Sequence, residues 1–249
     1  MAVIWQKQVN GKCYEVRSAG ETRRLYTDGV FHSQYNPNRT LTANVWDLIS
    51  LPSFFLSAAH IRRILVLGVG GGAVMQQLRC WYPEAELVGV ELDKTHLQIA
   101  KRFFGLRGKQ IELVCDDAID WVNRYRGMPF DIIIDDLFTE HDGEPARVIA
   151  ANQQWMAKLT GLLTAHGMLV MNFTSGRDLR NAAVFSHKPL KQKYPSVFRL
   201  MTPLYDNQVG VFLRQTSTTN QWRKAIKQDI QLALEFERYR NKYQLRKLV

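Results

Sequence analysis

The sequence predicts an α/β protein: a parallel sheet covered by helices on both faces, a small β cap before it and a basic amphipathic helix after it. Three observations predict this. From Ile61 onward short apolar runs alternate with segments of helical spacing. The cluster "GVGGG" at 68–72 joins the first run to the first helical segment. Carboxylates stand where the later runs end.

Residues 1–40 read as β-hairpins, with turn pairs at Asn10-Gly11, Ala19-Gly20 and Asp28-Gly29 between runs such as "CYEVRS" and "RRLYTDGVFHSQY". Leu41, Val45, Leu48 and Ile49 then fall on one helical face that stops near Pro52. Within 41–215, "RRILVLG", "AELVGVELD", "QIELVCDD" and "FDIIIDD" read as four strands. "GAVMQQLRCWY", "KTHLQIAKRFF" and "AIDWVNRY" read as the helices between them. Near-continuous apolar strands of this kind belong to a parallel sheet buried on both faces. "SVFRLMTPLYDNQVGVFLRQ" reads as a closing hairpin that turns near Asp206-Asn207. Over 216–249, Leu232, Phe236, Tyr239 and Tyr243 recur at helical spacing among charges.

The composition, 46% hydrophobic and 22% charged over 249 residues, suits one main globular domain. No run of eighteen apolar residues occurs and "MAVIWQKQVNGK" is polar, so we expect a cytoplasmic protein without a membrane partner. Cys13, Cys80 and Cys115 are odd in number and form no CxxC, which gives neither a disulfide framework nor a zinc site. His60, His96, His166 and His187 show no ligand spacing, so no metal is expected and these histidines are assigned to surface or packing. Residues 1–175 hold 18 Lys+Arg and 18 Asp+Glu, whereas 176–249 hold 15 against 5, so the whole net charge of +10 lies in the last third. An acidic partner such as nucleic acid would suit that segment; a solvated amphipathic helix is the favoured reading.

Gly68, Gly70, Gly71 and Gly72 lie between a strand and a helix, where a bare backbone approaches a ligand closely and the helix offers free N–H groups. Glu91 ends the second strand about twenty residues later, where an acid accepts from ribose hydroxyls. Asp117, with Asp116 beside it, ends the third strand, where a carboxylate can accept from an adenine amino group. Asp135 and Asp136 end the fourth. Ligands of open α/β sheets sit at these carboxyl ends. A dinucleotide would fit the same pattern, but the turn is GxGGG and no second mononucleotide-binding half is evident.

The order strand-GxGGG, strand-Glu, strand-Asp-Asp-Ala, strand-Asp resembles class I S-adenosylmethionine-dependent transferases. Within them it most resembles the spermidine synthase (polyamine aminopropyltransferase) family. "LYTDGVFHSQY", "VLGVGGGAV", "GVELD", "CDDAIDWV", "FDIIIDDLF" with "DGEPARVI", "GMLVMNF" and "QVGVFL" carry the resemblance. It implies a Rossmann-like class I methyltransferase fold with a terminal antiparallel hairpin. By position it implies that Gly68 and Gly70, with Gly71 and Gly72, hold the methionine-derived chain. Glu91 would hold ribose, and Asp117, with Asp116 and Ala118, adenine. Asp136 would meet the incoming nucleophile. The implied co-substrate is S-adenosylmethionine or its decarboxylated form, the implied acceptor a small amine, and the implied assembly a homodimer. The sequence departs from the family at Gly71, where aminopropyltransferases carry an aspartate suited to a lone ammonium, and at His32, where they carry glutamine. Thr139 and Glu140 stand where a second polyamine-gripping aspartate is usual. Glu140, Asp142 and Glu144 make that loop acidic, which suits a cationic substrate held by Glu140 and Asp142 and equally suits a solvated loop.

The expected function is therefore transfer of a methyl or aminopropyl group to a small amine, with Asp136 orienting and deprotonating it. Two other readings stand beside it. One is a nucleic-acid methyltransferase using the basic third, although the Asn/Asp-Pro-Pro-Tyr/Phe segment of amino-directed base methyltransferases is missing. The other is a non-catalytic nucleoside-binding or assembly module. A metal-dependent O-methyltransferase is disfavoured, because "DDLF" lacks a second aspartate and "MNF" replaces an Asp-Asn pair.

Overall fold

Each turn pair of the first third closes a hairpin. β1 (Ala2–Val9), β2 (Lys12–Ala19), β3 (Thr22–Thr27) and β4 (Val30–Tyr35) pair antiparallel in sequence order. Asn10, Gly11, Asp28 and Gly29 all take positive φ, the two-residue geometry whose twist matches that of the strands it joins. The computed structural model describes residues 1–141 and 144–249, with side chains outside 140–145.

The apolar face around Leu48 and Ile49 forms α1 (Val45–Ser50), which tightens into a 3-10 turn over Leu51–Phe55 at Pro52. Strand and helix then alternate: β5 (Arg63–Leu67), α2 (Ala73–Trp81), β6 (Glu86–Glu91), α3 (Lys94–Phe103), β7 (Ile111–Cys115), α4 (Ala118–Arg124) and β8 (Phe130–Asp135). A two-stranded ribbon, β9 (Phe138–His141) and β10 (Glu144–Arg147), follows β8 in place of a simple loop. After it come α5 (Gln153–Gly161), β11 (Leu163–Phe173), α6 (Gly176–Arg180), α7 (Lys188–Lys193), β12 (Ser196–Met201) and β13 (Gln208–Leu213).

The main sheet has eight strands in the order β14-β12-β13-β11-β8-β5-β6-β7, the first of which is the C-terminal strand described below. β11, β8, β5, β6 and β7 run parallel; β13 enters antiparallel to β11, and β12 is antiparallel to β13, as the closing hairpin requires. Strand order reverses between β5 and β8, which opens a crevice at their carboxyl ends. Alternate residues of the central strands serve two cores. Ile64, Val66, Ile132 and Ile134 face one layer with Leu48 and Leu78, while Leu65, Leu67, Ile133 and Leu169 face the other with Trp155 and Met156.

The C-terminal segment differs from the single helix expected over 216–249. It forms α8 (Thr219–Ile226), α9 (Ile230–Tyr239) and β14 (Gln244–Lys247), and β14 pairs antiparallel with β12 at the sheet edge. Asp229 is the reason for the break: its side chain accepts the Leu232 N–H at 2.9 Å and starts a new helix. Leu232 and Phe236 are buried against Trp222, so the spaced apolar residues belong to the core. Among the described residues no helix is long and apolar enough to cross a membrane. No group of three His, Cys, Asp or Glu among them is placed to hold a metal ion.

Candidate functional site

The glycine turn exists because two strand ends converge on it. Gly68 has φ +85° and its N–H donates to Val90 O at 2.9 Å, while Asp136 N donates to Leu67 O at 2.9 Å. A Cβ at Gly68 would lie 2.3 Å from the Asp136 carbonyl oxygen, so only glycine lets β5 and β8 approach this closely.

Glu91, the terminal residue of β6, turns back onto that loop. One oxygen accepts the Val69 and Gly70 N–H groups at 3.0 and 2.8 Å, and the other accepts Asp93 N at 2.9 Å. A carboxylate has about four acceptor positions, so one remains for a ligand hydroxyl.

Asp117 caps α4: Oδ1 accepts Ile119 N and Asp120 N at 2.8 and 3.0 Å. Its second oxygen is left for the crevice, where Asp117, Ala118 and Ile119 form one wall. Asp116 turns away and pairs with Arg124; it does not line the crevice.

Asp135 and Asp136 face opposite sides of β8, as neighbours on a strand do. Asp135 is fully buried and paired with Arg147 Nη2 at 2.8 Å and Trp155 Nε1 at 2.7 Å. Asp136 faces the crevice and accepts Asn172 Nδ2 on Oδ1 at 2.8 Å. Burial raises its pKa to about 6, against the lowering effect of the Asn172 hydrogen bond.

The glycine turn, Glu91, Asp117 and Asp136 line one cavity of about 430 Å³, within the size range of small-molecule sites. It gathers Gly68, Gly70, Glu91, Asp117, Ala118 and Asp136 from the ends of four strands. Gly71 and Gly72 do not line it. They pack beneath the loop, where a Cβ on Gly71 would lie 2.6 Å from Ser33 Cβ and 3.0 Å from the Phe104 ring, and a Cβ on Gly72 would lie 2.6 Å from Leu106. Asp142 lies outside the described residues, and so does the side chain of Glu140.

Several wall residues escape a reading of the sequence. The cap supplies Phe31 and His32, α1 supplies Trp46, and the β12–β13 turn supplies Tyr205 and Asn207. His96 is packed and buried, as expected, and it also lines the cavity. Its ring lies 4.9 Å from that of His32, and its Nε2 is 2.8 Å from Thr27 Oγ1. Burial first and then the His96 ring push His32 down to about 4, so its imidazole is neutral near pH 7. Only the β4 segment "GVFHSQY" hinted at the cap's involvement, since none of the other wall residues sits in a chemical motif.

The Spermine/spermidine synthase domain family matches residues 47–224. A curated relative, polyamine aminopropyltransferase 2 of Caldanaerobacter subterraneus, is 28% identical over 141 residues, 55% of this chain and 47% of the relative. The eEF1A lysine and N-terminal methyltransferase homolog of Drosophila melanogaster is 35% identical over 77 residues, 30% of this chain and 11% of that protein. The chain therefore spans about half the length of the first of these relatives and about a tenth of the second. Among solved structures, a probable spermidine synthase from Corynebacterium glutamicum superposes with a TM-score of 0.76 at 17% identity, over 99% of this chain and 91% of that one. That likeness concerns the fold.

Proposed function

Because the chain belongs to the spermine/spermidine synthase family, we propose that it is a transferase that binds S-adenosylmethionine or its decarboxylated form and moves an alkyl group from it to a small amine. The observation that carries this reading is the meeting of Glu91, Asp117 and Asp136, from three different strand ends, in one cavity with the glycine turn.

In this reading Glu91 holds the ribose through its remaining acceptor position, and Asp117 takes the adenine amino group. The glycine turn accommodates the amino-acid-derived tail. The donor supplies an electrophilic carbon on a sulfonium, which needs no acid catalyst for its leaving group. The protein's task is to align the amine and lower its protonation. A carboxylate with a pKa of about 6 is mostly ionised at neutral pH, yet closer to the acceptor's needs than an ordinary aspartate. Asp136 is therefore the group that orients the amine and takes its proton. A cytoplasmic location and a homodimer belong to the same proposal, and so does a cationic preference from Glu140 and Asp142.

Calorimetric titration with S-adenosylmethionine and, in parallel, with its decarboxylated form tests the reading. Binding of either at a 1:1 ratio, lost in the Glu91→Ala, Asp117→Ala double variant, is expected. Absence of binding by both would overturn it. The tighter ligand then decides between methyl and aminopropyl transfer, which the uncharged Gly71 leaves to other groups.

A further inference from the structure

Among the described residues, Asp136 has one oxygen committed to the protein. Asn172, near the end of β11, donates its Nδ2 to Oδ1 at 2.8 Å, and among the described residues no side chain or backbone group donates to Oδ2. The orientation of the Asn172 amide is itself set from a third element: its Oδ1 accepts Asn207 Nδ2 at 3.2 Å. A flipped amide would point oxygen at a carboxylate and nitrogen at a nitrogen, two repulsive contacts in exchange for two bonds. The main chain of Asn172 is tied down as well. Arg147 donates to the Asn172 carbonyl oxygen through Nη1 and to Asp135 through Nη2. One guanidinium thus fixes β11 against the strand that carries both aspartates.

Asn207 sits in the β12–β13 turn beside Tyr205, whose hydroxyl donates to Asn44 just before α1. Asp136, Asn172 and Asn207 thus run as one chain from the floor of the cavity to the turn at its mouth, and all three line it.

We propose that Asn172 is a positioning residue for the transfer. Its amide occupies Oδ1 of Asp136 and holds it ionised, leaving Oδ2 as the oxygen that receives the acceptor's proton, while Asn207 locks the amide in that sense. This rests on the transferase reading above. In the step itself an acceptor ammonium gives one proton to Asp136 Oδ2. The freed nitrogen lone pair forms the new N–C bond as the C–S bond breaks, and the sulfur keeps that electron pair and leaves as a neutral thioether. Asp136 then returns its proton to solvent.

Among the described residues, the charges that act on the Asp136 carboxyl are Asp135 from the other side of its own strand, Arg147 on β10 and Glu91 on β6, and the titratable Asp117, His32 and His96 line the same cavity. None of them changes in an Asn172 variant. Removing the amide takes away a hydrogen bond that is stronger to the carboxylate than to the neutral acid, whose Oδ1 still accepts it, so the carboxyl must become harder to ionise.

The experiment is a pair of titrations on the full chain, in wild type and in Asn172→Ala and Asn207→Ala. The first follows the Asp136 carboxyl carbon by 13C NMR in the free protein. The second follows the acid limb of kcat/KM with an active amine. Loss of a hydrogen bond to a charged group is worth enough to move both midpoints upward by about one pH unit in Asn172→Ala. A smaller shift in the same direction is expected in Asn207→Ala. Asn172→Asp should instead split the titration into two steps, as two carboxyls share one proton. A lower rate or lower Tm in Asn172→Ala with an unmoved Asp136 midpoint would overturn the proposal, since a merely structural asparagine does that. If no amine is turned over, the transferase reading fails by itself, and the NMR titration still decides whether Asn172 holds Asp136 ionised.

Discussion

Glu91 accepts the Gly70 amide at 2.8 Å, so the acid assigned to the ligand also holds the loop that would cradle it. The two tasks cannot be separated by deletion. Glu91→Ala leaves the Val69 and Gly70 N–H groups without their partner, at a cost of about 1–3 kcal/mol for each group that stays dry. We expect a lower Tm together with a nucleoside affinity reduced by at least tenfold, read by thermal melts and calorimetry. Affinity within twofold of wild type would remove Glu91 from the binding site.

Asp117 allows the two tasks to be separated. Its Oδ1 caps α4 and its other oxygen faces the cavity. Asp117→Asn keeps a capping oxygen and puts an amide nitrogen where an adenine amino group would need an acceptor. Asp117→Ala loses both, with about 1 kcal/mol of cap stability. The expected pattern is near-wild-type Tm with weakened binding for Asn, and lower Tm with weakened binding for Ala. If Asn binds as tightly as wild type, Asp117 is a cap only.

Asp136 titrates at about 6 in the fold against an ordinary 3.8, so between those values the native state holds the extra proton. The stability this group contributes is therefore full below pH 3.8 and is lost as pH rises through 6. Asp136→Asn removes that penalty. It should raise stability at pH 7.5 by no more than about 3 kcal/mol, with the gain vanishing near pH 4, while turnover is lost. Denaturant melts at the two pH values check this, and an equal gain at both would assign it to something other than ionisation.

Gly71 marks the clearest departure from the aminopropyltransferase pattern, and the space for a side chain there is already taken. A Cβ would meet Ser33 Cβ at 2.6 Å and the Phe104 ring at 3.0 Å. Gly71→Asp is expected to destabilise by about 1–3 kcal/mol through overpacking. Ser33→Gly in the same chain should recover part of that loss by removing one of the two obstacles. A single variant with unchanged Tm would mean that the cap yields readily.

Arg147 compensates a carboxylate that is 0% exposed, at 2.8 Å. Arg147→Ala leaves Asp135 buried and unpaired, and about 3–5 kcal/mol of stability should go with it. Asp135→Asn in the Arg147→Ala background should return a measurable part, as urea melts would report.

The alternation of strands and helices, the glycine turn and the terminal acids were all legible, because each rests on local periodicity or on a spacing along a single βα unit. The cap hairpins were legible for the same reason, their turns being written in Asn-Gly and Asp-Gly pairs. The C-terminal strand was not. "QLRK" carries no alternation, and it becomes a strand only because β12 offers an open edge. The residues whose spacing suggested one amphipathic helix, Leu232, Phe236, Tyr239 and Tyr243, all follow Asp229, so their periodicity carried no information on the break between α8 and α9.

By itself the sequence determined the fold class, the family and the strand ends that carry Gly68, Glu91, Asp117 and Asp136, since these follow from patterns within a few tens of residues. Tertiary structure alone decided which of the neighbouring candidates face the cavity. Asp116 turns to Arg124 and Gly71 packs on Ser33, whereas His32, His96, Asn172 and Asn207 turn inward. The physical reason is that adjacent side chains point to opposite sides of a strand or loop, and only long-range packing fixes which side is the cavity.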